Sequence, residues 1–125
     1  MNENEITQKI LDICFKIHTK LGPGLFESVY VAIINYELKK AGLNAQCEVP
    51  IPVYWDEVKL DIGFRADIVV ENKVIVEIKS VEAIAPVHKK QVLTYLRIMN
   101  KKVGLLINFN NAHLKDGITR IVNGF

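Results

Sequence analysis

Apolar residues recur at three- and four-residue steps near the start of the chain: Ile6, Ile10, Ile13, Cys14, Ile17 and Leu21. That spacing lines one face of an α-helix, and Gly22-Pro23-Gly24 stops it. A second helix is predicted from about Leu25 to Ala41. Lys39 and Lys40 in its last turn, with Gly42 just beyond, form a C-terminal signal. It is apolar on most sides, which predicts a helix sandwiched between layers. After Gly42 the period changes. Gln46–Trp55 reads as extended, but Pro50 and Pro52 lack amide donors, so it cannot be a central strand paired along its whole length. Leu60–Val70 and Lys73–Val81 are β-rich, and Glu71-Asn72-Lys73 between them is polar and turn-like. Pro86 opens a third helix reaching about Asn100, with Val92, Leu93, Leu96 and Met99 as its inward stripe. Val103–Phe109 reads as a short buried strand, and the tail is too short for another domain. The predicted order is helix, helix, three strands, helix, strand (ααβββαβ): an α/β sandwich in one piece, residues 1–125.

The 125 residues suffice for a single core without staples. Half are hydrophobic and 24% charged, the balance of a folded rather than a disordered chain. A net charge of +2 is too mild to announce nucleic-acid binding by itself. The basic pairs Lys39-Lys40, Lys89-Lys90 and Lys101-Lys102 fit either solvated surface or a phosphate-facing patch. Cys14 and Cys47 are far apart and lack metal-ligand spacing, which leaves a reducing cytoplasm as the expected compartment. The polar, acidic start MNENEITQK lacks the basic residues and apolar run of a signal peptide. No apolar stretch is long enough to cross a bilayer, so no membrane association is expected.

One strand breaks its own pattern. In Val74–Ser80 (VIVEIKS), Glu77 and Lys79 sit among residues suited to burial. Alternation puts Phe64, Ala66, Ile68 and Val70 on one face of the preceding strand, with Arg65, Asp67 and Val69 on the other. Likewise Val74, Val76, Ile78 and Ser80 share a face, opposite Ile75, Glu77 and Lys79. Pairing the apolar rows gathers Asp67, Glu77 and Lys79 on the remaining face. If Val70 faces Val74 across a three-residue loop, Asp67 lies opposite Glu77, with Cβ atoms about 5 Å apart. A strict two-residue turn would separate the two acids onto different faces. Facing carboxylates repel, and Lys79 or a hard divalent cation would relieve them. A solvated cross-strand charge cluster, with Lys79 and Arg65 neutralising the acids, is the competing reading. Asp61 and Glu82, flanking the hairpin, read as surface charges.

Asp67 followed by Glu77-Ile78-Lys79 resembles the D…(D/E)-x-K signature of the PD-(D/E)XK nuclease superfamily. Upstream, Gly24-Leu25-Phe26-Glu27-Ser28-Val29-Tyr30 reads as G-x-x-E-x-x-Y, the motif of the GxxExxY protein family within it. Downstream, Gln91-Val92-Leu93-Thr94-Tyr95 reads as Q-x-x-x-Y, similar to RecB-like and phage exonuclease-like members. Ala66 stands where the superfamily's name has proline. The resemblance covers nearly the whole chain and implies a restriction-endonuclease-like core, a small mixed sheet flanked by helices. It also implies a metal-dependent nuclease acting on phosphodiester bonds, most simply in DNA, with one or two Mg²⁺ (or Mn²⁺) ions.

In that reading Asp67, Glu77 and Glu27 hold metal together with the carbonyl of Ile78, and Lys79 orients or activates the attacking water. Glu27 has an alternative role, since a first-turn glutamate favours the helix dipole by a few tenths to about 1 kcal/mol. Gln91 and Tyr95 share a helical face with His88. Together with Lys89 and Lys90 they are candidates for nucleic-acid contact, although Tyr95 also fits a boundary aromatic. His18, near the end of the first helix, is a side candidate that the C-terminal dipole explains equally well; His113 has no evident partner. A short chain has little room for a specificity domain, so a homodimer or protein partner is expected. The alternatives are a non-cleaving nuclease-fold module that binds nucleic acid or protein, and a scaffold whose charged strand face is merely solvated.

Overall fold

Asn2 starts the first helix, α1 (Glu3–Leu21): its Oδ1 accepts from the Glu5 amide at 2.8 Å, and the Glu5 carboxylate accepts from the Asn2 amide in return. Such a cap contributes about 1 kcal/mol. Ile6, Ile10, Cys14 and Ile17 form the buried stripe that the period implies. The chain is described by a computed structural model over residues 1–124, apart from the side chains of Asp61 and Ile62. The surface position expected of Asp61 therefore lies outside the described residues.

The second helix, α2 (Glu27–Lys40), buries Tyr30, Ile34 and Leu38. Val29 and Tyr36 are exposed, so α2 is one-sided rather than sandwiched as its composition suggested. Its N-cap is Phe26, which makes no side-chain hydrogen bond to the first turn. A residue without a side-chain acceptor at this position costs about 0.5–2 kcal/mol relative to Ser, Thr, Asp or Asn.

Among the described residues, five strands form one sheet in sequence order: β1 (Ala45–Trp55), β2 (Val58–Val70), β3 (Val74–Lys79), β4 (Val103–Asn108) and β5 (Ile118–Val122). β3 and β4 are parallel, joined through α3 (Pro86–Met99); the other neighbouring pairs are antiparallel. The sheet is thus mixed and flanked by helices, as the resemblance implied. β1 lies at an edge, where Pro50 and Pro52 are tolerated. At the other edge is an addition to the expected order: a 3₁₀ turn, Leu114–Gly117, leads into β5.

α1 and α2 cover one face of the sheet, over Ile68, Val70, Val74, Val76, Ile78, Leu105, Ile107 and Phe109. α3 covers the other, packing Val92, Tyr95 and Leu96 against Ile51, Ala66, Val69, Ile75 and Leu106. β3 and β4 are therefore buried on both sides, which explains their nearly continuous apolar runs. Gly104 allows α3 to come this close: a Cβ there would stand 2.8 Å from Val92 Cγ1.

The β1–β2 ribbon changes face partway along. Cys47 pairs with Ile68 and Val49 with Ala66, but Glu48 and Asp67 between them are left out of the ladder, and Glu48 takes φ 52. Ile68 and Val70 pack beneath α1 and α2, whereas Ala66 packs with Ile75 on the α3 side. The single apolar row expected from Phe64 to Val70 is broken at Asp67.

Candidate active site

The loop between β2 and β3 is the three-residue Glu71-Asn72-Lys73. Glu71 and Asn72 both take φ 53, and the Lys73 amide donates to the Val70 carbonyl at 3.0 Å. Pairing then runs Val70↔Val74, Val69↔Ile75 and Ile68↔Val76, and stops. The next step would match Asp67 with Glu77. Here side chains replace the ladder: the Asp67 amide donates to Glu77 Oε1 at 3.0 Å, and the Ile78 amide donates to Asp67 Oδ2 at 2.8 Å. Each acid binds a main-chain amide of the opposite strand, and the strands part around the pair.

Burial raises the pKa of both acids. Glu77, only 5% exposed, is pushed up to about 8, first by burial and then by the Asp67 charge; the Asp67 amide and Lys79 pull the other way. Asp67 is also raised by burial, against the lowering effects of the Ile78 amide, a hydrogen bond with the Glu77 side chain, and Lys79. Tyr95 senses the same pair. Its phenol is pushed up to about 12 by burial and then by the charges of Glu77 and Asp67, so it stays protonated and able to donate.

Lys79 ends β3, half-buried, and its charge acts on both acids. Its carbonyl accepts from the Phe109 amide at 2.9 Å. Beyond it the chain is held from two sides. The Ser80 amide donates to Glu27 Oε2 at 3.0 Å, and Ser80 Oγ donates to the Leu25 carbonyl at 2.8 Å. Asn108, 1% exposed, accepts from the Val81 and Asn110 amides at 3.1 and 3.2 Å and donates to the Val81 carbonyl at 2.9 Å. Neither Ser80 nor Asn108 was singled out from sequence as a site residue. The available signal was a polar residue closing the apolar run VGLLIN.

Tyr30, last residue of the G-x-x-E-x-x-Y stretch, is a strut. Its hydroxyl donates to the Gly22 carbonyl at 2.6 Å and accepts from the Leu25 amide at 3.2 Å, and its ring stacks on Phe109 at 4.2 Å between centroids. It thereby holds the loop that delivers Glu27 to the end of β3. Glu27 does not join the acid pair: among the described residues, no three His, Cys, Asp or Glu side chains gather closely enough to form a metal-binding cluster.

The α3 candidates are divided. Lys89 and Lys90 are exposed and Gln91 is half-buried. His88 Nδ1 accepts from the Ala85 amide at 3.1 Å, capping the helix. Tyr95 is 4% exposed, buried in the apolar cluster with its ring against Phe64 at 5.5 Å between centroids. His18 Nε2 lies 2.9 Å from the Asn111 carbonyl, which requires the proton on that nitrogen.

The donor set fits a hard divalent cation. Two oxygen acids stand side by side, the Asp67 charge opposing the ionisation of Glu77, and the carbonyl of Ile78 lies on the strand between Glu77 and Lys79.

The family model of the PD-(D/E)XK nuclease superfamily matches residues 4–121, and the chain belongs to that superfamily. Among solved structures, the crystal structure of SSO0001 is similar in fold: a TM-score of 0.58 and 23% identity over 79% of this chain. The chain spans about half of that protein, 51% of its length. No curated protein matches it. No helix among the described residues is long and apolar enough to cross a membrane.

Proposed function

We propose that this protein is a metal-dependent nuclease that hydrolyses phosphodiester bonds in DNA, a single nuclease-like domain over residues 1–125 of the GxxExxY kind. The observation that carries the reading is the parting of β2 and β3 around Asp67 and Glu77, with Lys79 two residues on. Asp67, Glu77 and the Ile78 carbonyl would hold Mg²⁺ or Mn²⁺, while Glu27, bound to the Ser80 amide, positions the end of β3. Bound there, the metal supplies charge neutralisation at the phosphoryl oxygens and a more acidic water. Lys79 holds the attacking water and meets the negative charge that develops on the phosphate. Tyr95, kept protonated, donates towards the same face. Gln91, His88, Lys89 and Lys90 line the approach of the strand, the two lysines by charge alone. The reading places the protein in the cytoplasm, acting as a homodimer or with a protein partner.

The test is Mg²⁺-dependent cleavage of DNA by the wild type and by Glu77→Ala and Lys79→Ala. Both variants should lose cleavage while keeping the wild-type circular dichroism spectrum. Robust cleavage by either variant removes the assignment. The separation of Glu27 from the acid pair favours one second reading, a nuclease-fold module that binds nucleic acid without cutting it. Saturable metal binding with no cleavage of any DNA or RNA would select it.

A further inference from the structure

Phe26 breaks two local rules at once. It occupies the N-cap of α2 with φ −66 and ψ 149, a position where a side-chain oxygen is preferred and where its ring offers none. That ring is also 82% exposed, more than any other large apolar side chain among the described residues. A rule broken twice at one position points to a role outside folding.

The surroundings indicate what the ring meets. Phe26 lines an open cavity of about 390 Å³ with Leu25, Glu27, Ser28 and Ser80. The Glu27 and Ser80 side of that cavity borders the end of β3: Glu27 binds the Ser80 amide, and Ser80 follows Lys79. The polar groups offered are two hydroxyls and a carboxylate. An acid repels phosphate but accepts from the amino and imino groups of a base edge. The cavity's lining and the flat apolar ring beside it therefore suit a nucleobase rather than a backbone phosphate. Bases inside a duplex are already stacked on both faces, so only an unpaired base can reach the ring.

We propose that Phe26 is the stacking platform for an unpaired nucleobase of the strand bound at Asp67 and Glu77, giving the enzyme a preference for single-stranded or frayed substrate. This inference rests on the nuclease reading above. It makes a compound demand: a capping residue at this position improves the fold and harms recognition.

The experiment compares the wild type with Phe26→Asn and Phe26→Trp. Thermal midpoints are measured beside fluorescence-anisotropy binding to a labelled single-stranded oligonucleotide and to its duplex, with Ca²⁺ in place of Mg²⁺. Phe26→Asn should raise the midpoint through its new cap, weaken single-strand binding about ten- to hundredfold, and leave duplex binding unchanged. Phe26→Trp should restore single-strand binding. Equal single-strand binding by wild type and Phe26→Asn overturns this inference alone. Equal losses on single strand and duplex overturn base stacking and mark a contact of another kind, such as with a partner protein. A wild type that binds no oligonucleotide overturns the nuclease reading together with this one.

Discussion

Asp67 and Glu77 face each other where the backbone pairing of β2 and β3 ends, and each carboxylate accepts an amide hydrogen from the strand of the other. The two amides fix the acids in place, and burial gives the arrangement an electrostatic cost. The predictions below follow from that cost and from the hydrogen bonds that keep the neighbouring chain in place.

The first concerns pH. Glu77 ionises near 8 in the folded protein and near 4.5 when unfolded, so between those values the folded state holds the extra proton. Stability is then highest below about pH 4.5 as far as this group is concerned, and it falls as pH rises towards 8. In chelator, the thermal midpoint should drop steadily from pH 5 to pH 8. Glu77→Gln, which keeps an oxygen for the Asp67 amide but cannot ionise, should flatten the profile. An equally steep decline in that variant would show that the slope originates elsewhere.

A divalent cation should reverse the same penalty. Mg²⁺ or Mn²⁺ favours the ionised pair, so its affinity should rise with pH up to about 8, with proton release on binding. At a hundredfold excess over Kd, the stabilisation should reach about 2.7 kcal/mol. Calorimetric titration in two buffers of different ionisation enthalpy measures both the affinity and the protons released. Asp67→Ala should abolish the saturable phase; a wild-type isotherm from that variant would place the metal elsewhere.

Asn108 is the third case. Its amide closes three hydrogen bonds that hold Val81 and Asn110, immediately beyond Lys79 and Ser80. With each worth about 1 kcal/mol net, Asn108→Ala should cost about 3 kcal/mol in urea unfolding. Asn108→Asp keeps the two accepted bonds but buries a charge and sets a carboxylate oxygen against the Val81 carbonyl, so it should cost at least as much. If the reading of Lys79 is right, both variants should also lower turnover more than they weaken substrate binding, because the lysine is displaced rather than removed. Unchanged urea midpoints would show that the segment is held without Asn108.

Much of the fold was legible because periodicity reports burial directly. α1 follows from the spacing of its isoleucines, and the hairpin follows from three polar residues between two β-rich runs. Whether the loop held three residues or two stayed open in the sequence, and the three-residue loop found sets Asp67 beside Glu77. What escaped were features with no periodic signature. Alternation assumes that a strand keeps its face, and nothing in the sequence marks Glu48 as left-handed or Asp67 as the point where the ribbon turns over. β5 is short and half polar, and follows a charged turn, so its pattern resembles a tail. Tyr95 was read by its helical neighbours, whereas Phe64 and the α3 core decide its position. Glu27 belongs to the end of β3 through Ser80, a contact across 53 residues that spacing cannot show.

β3 is covered by helices on both faces and flanked by strands along both edges. As far as Val76, where both edges are paired, its amides should be among the last to exchange with solvent deuterium. Glu77 and Lys79 continue directly from that durable stretch, and Asp67 is tied to it through the Ile78 amide. Adaptation to differently shaped substrates then falls to the periphery, where sequence drift is inexpensive.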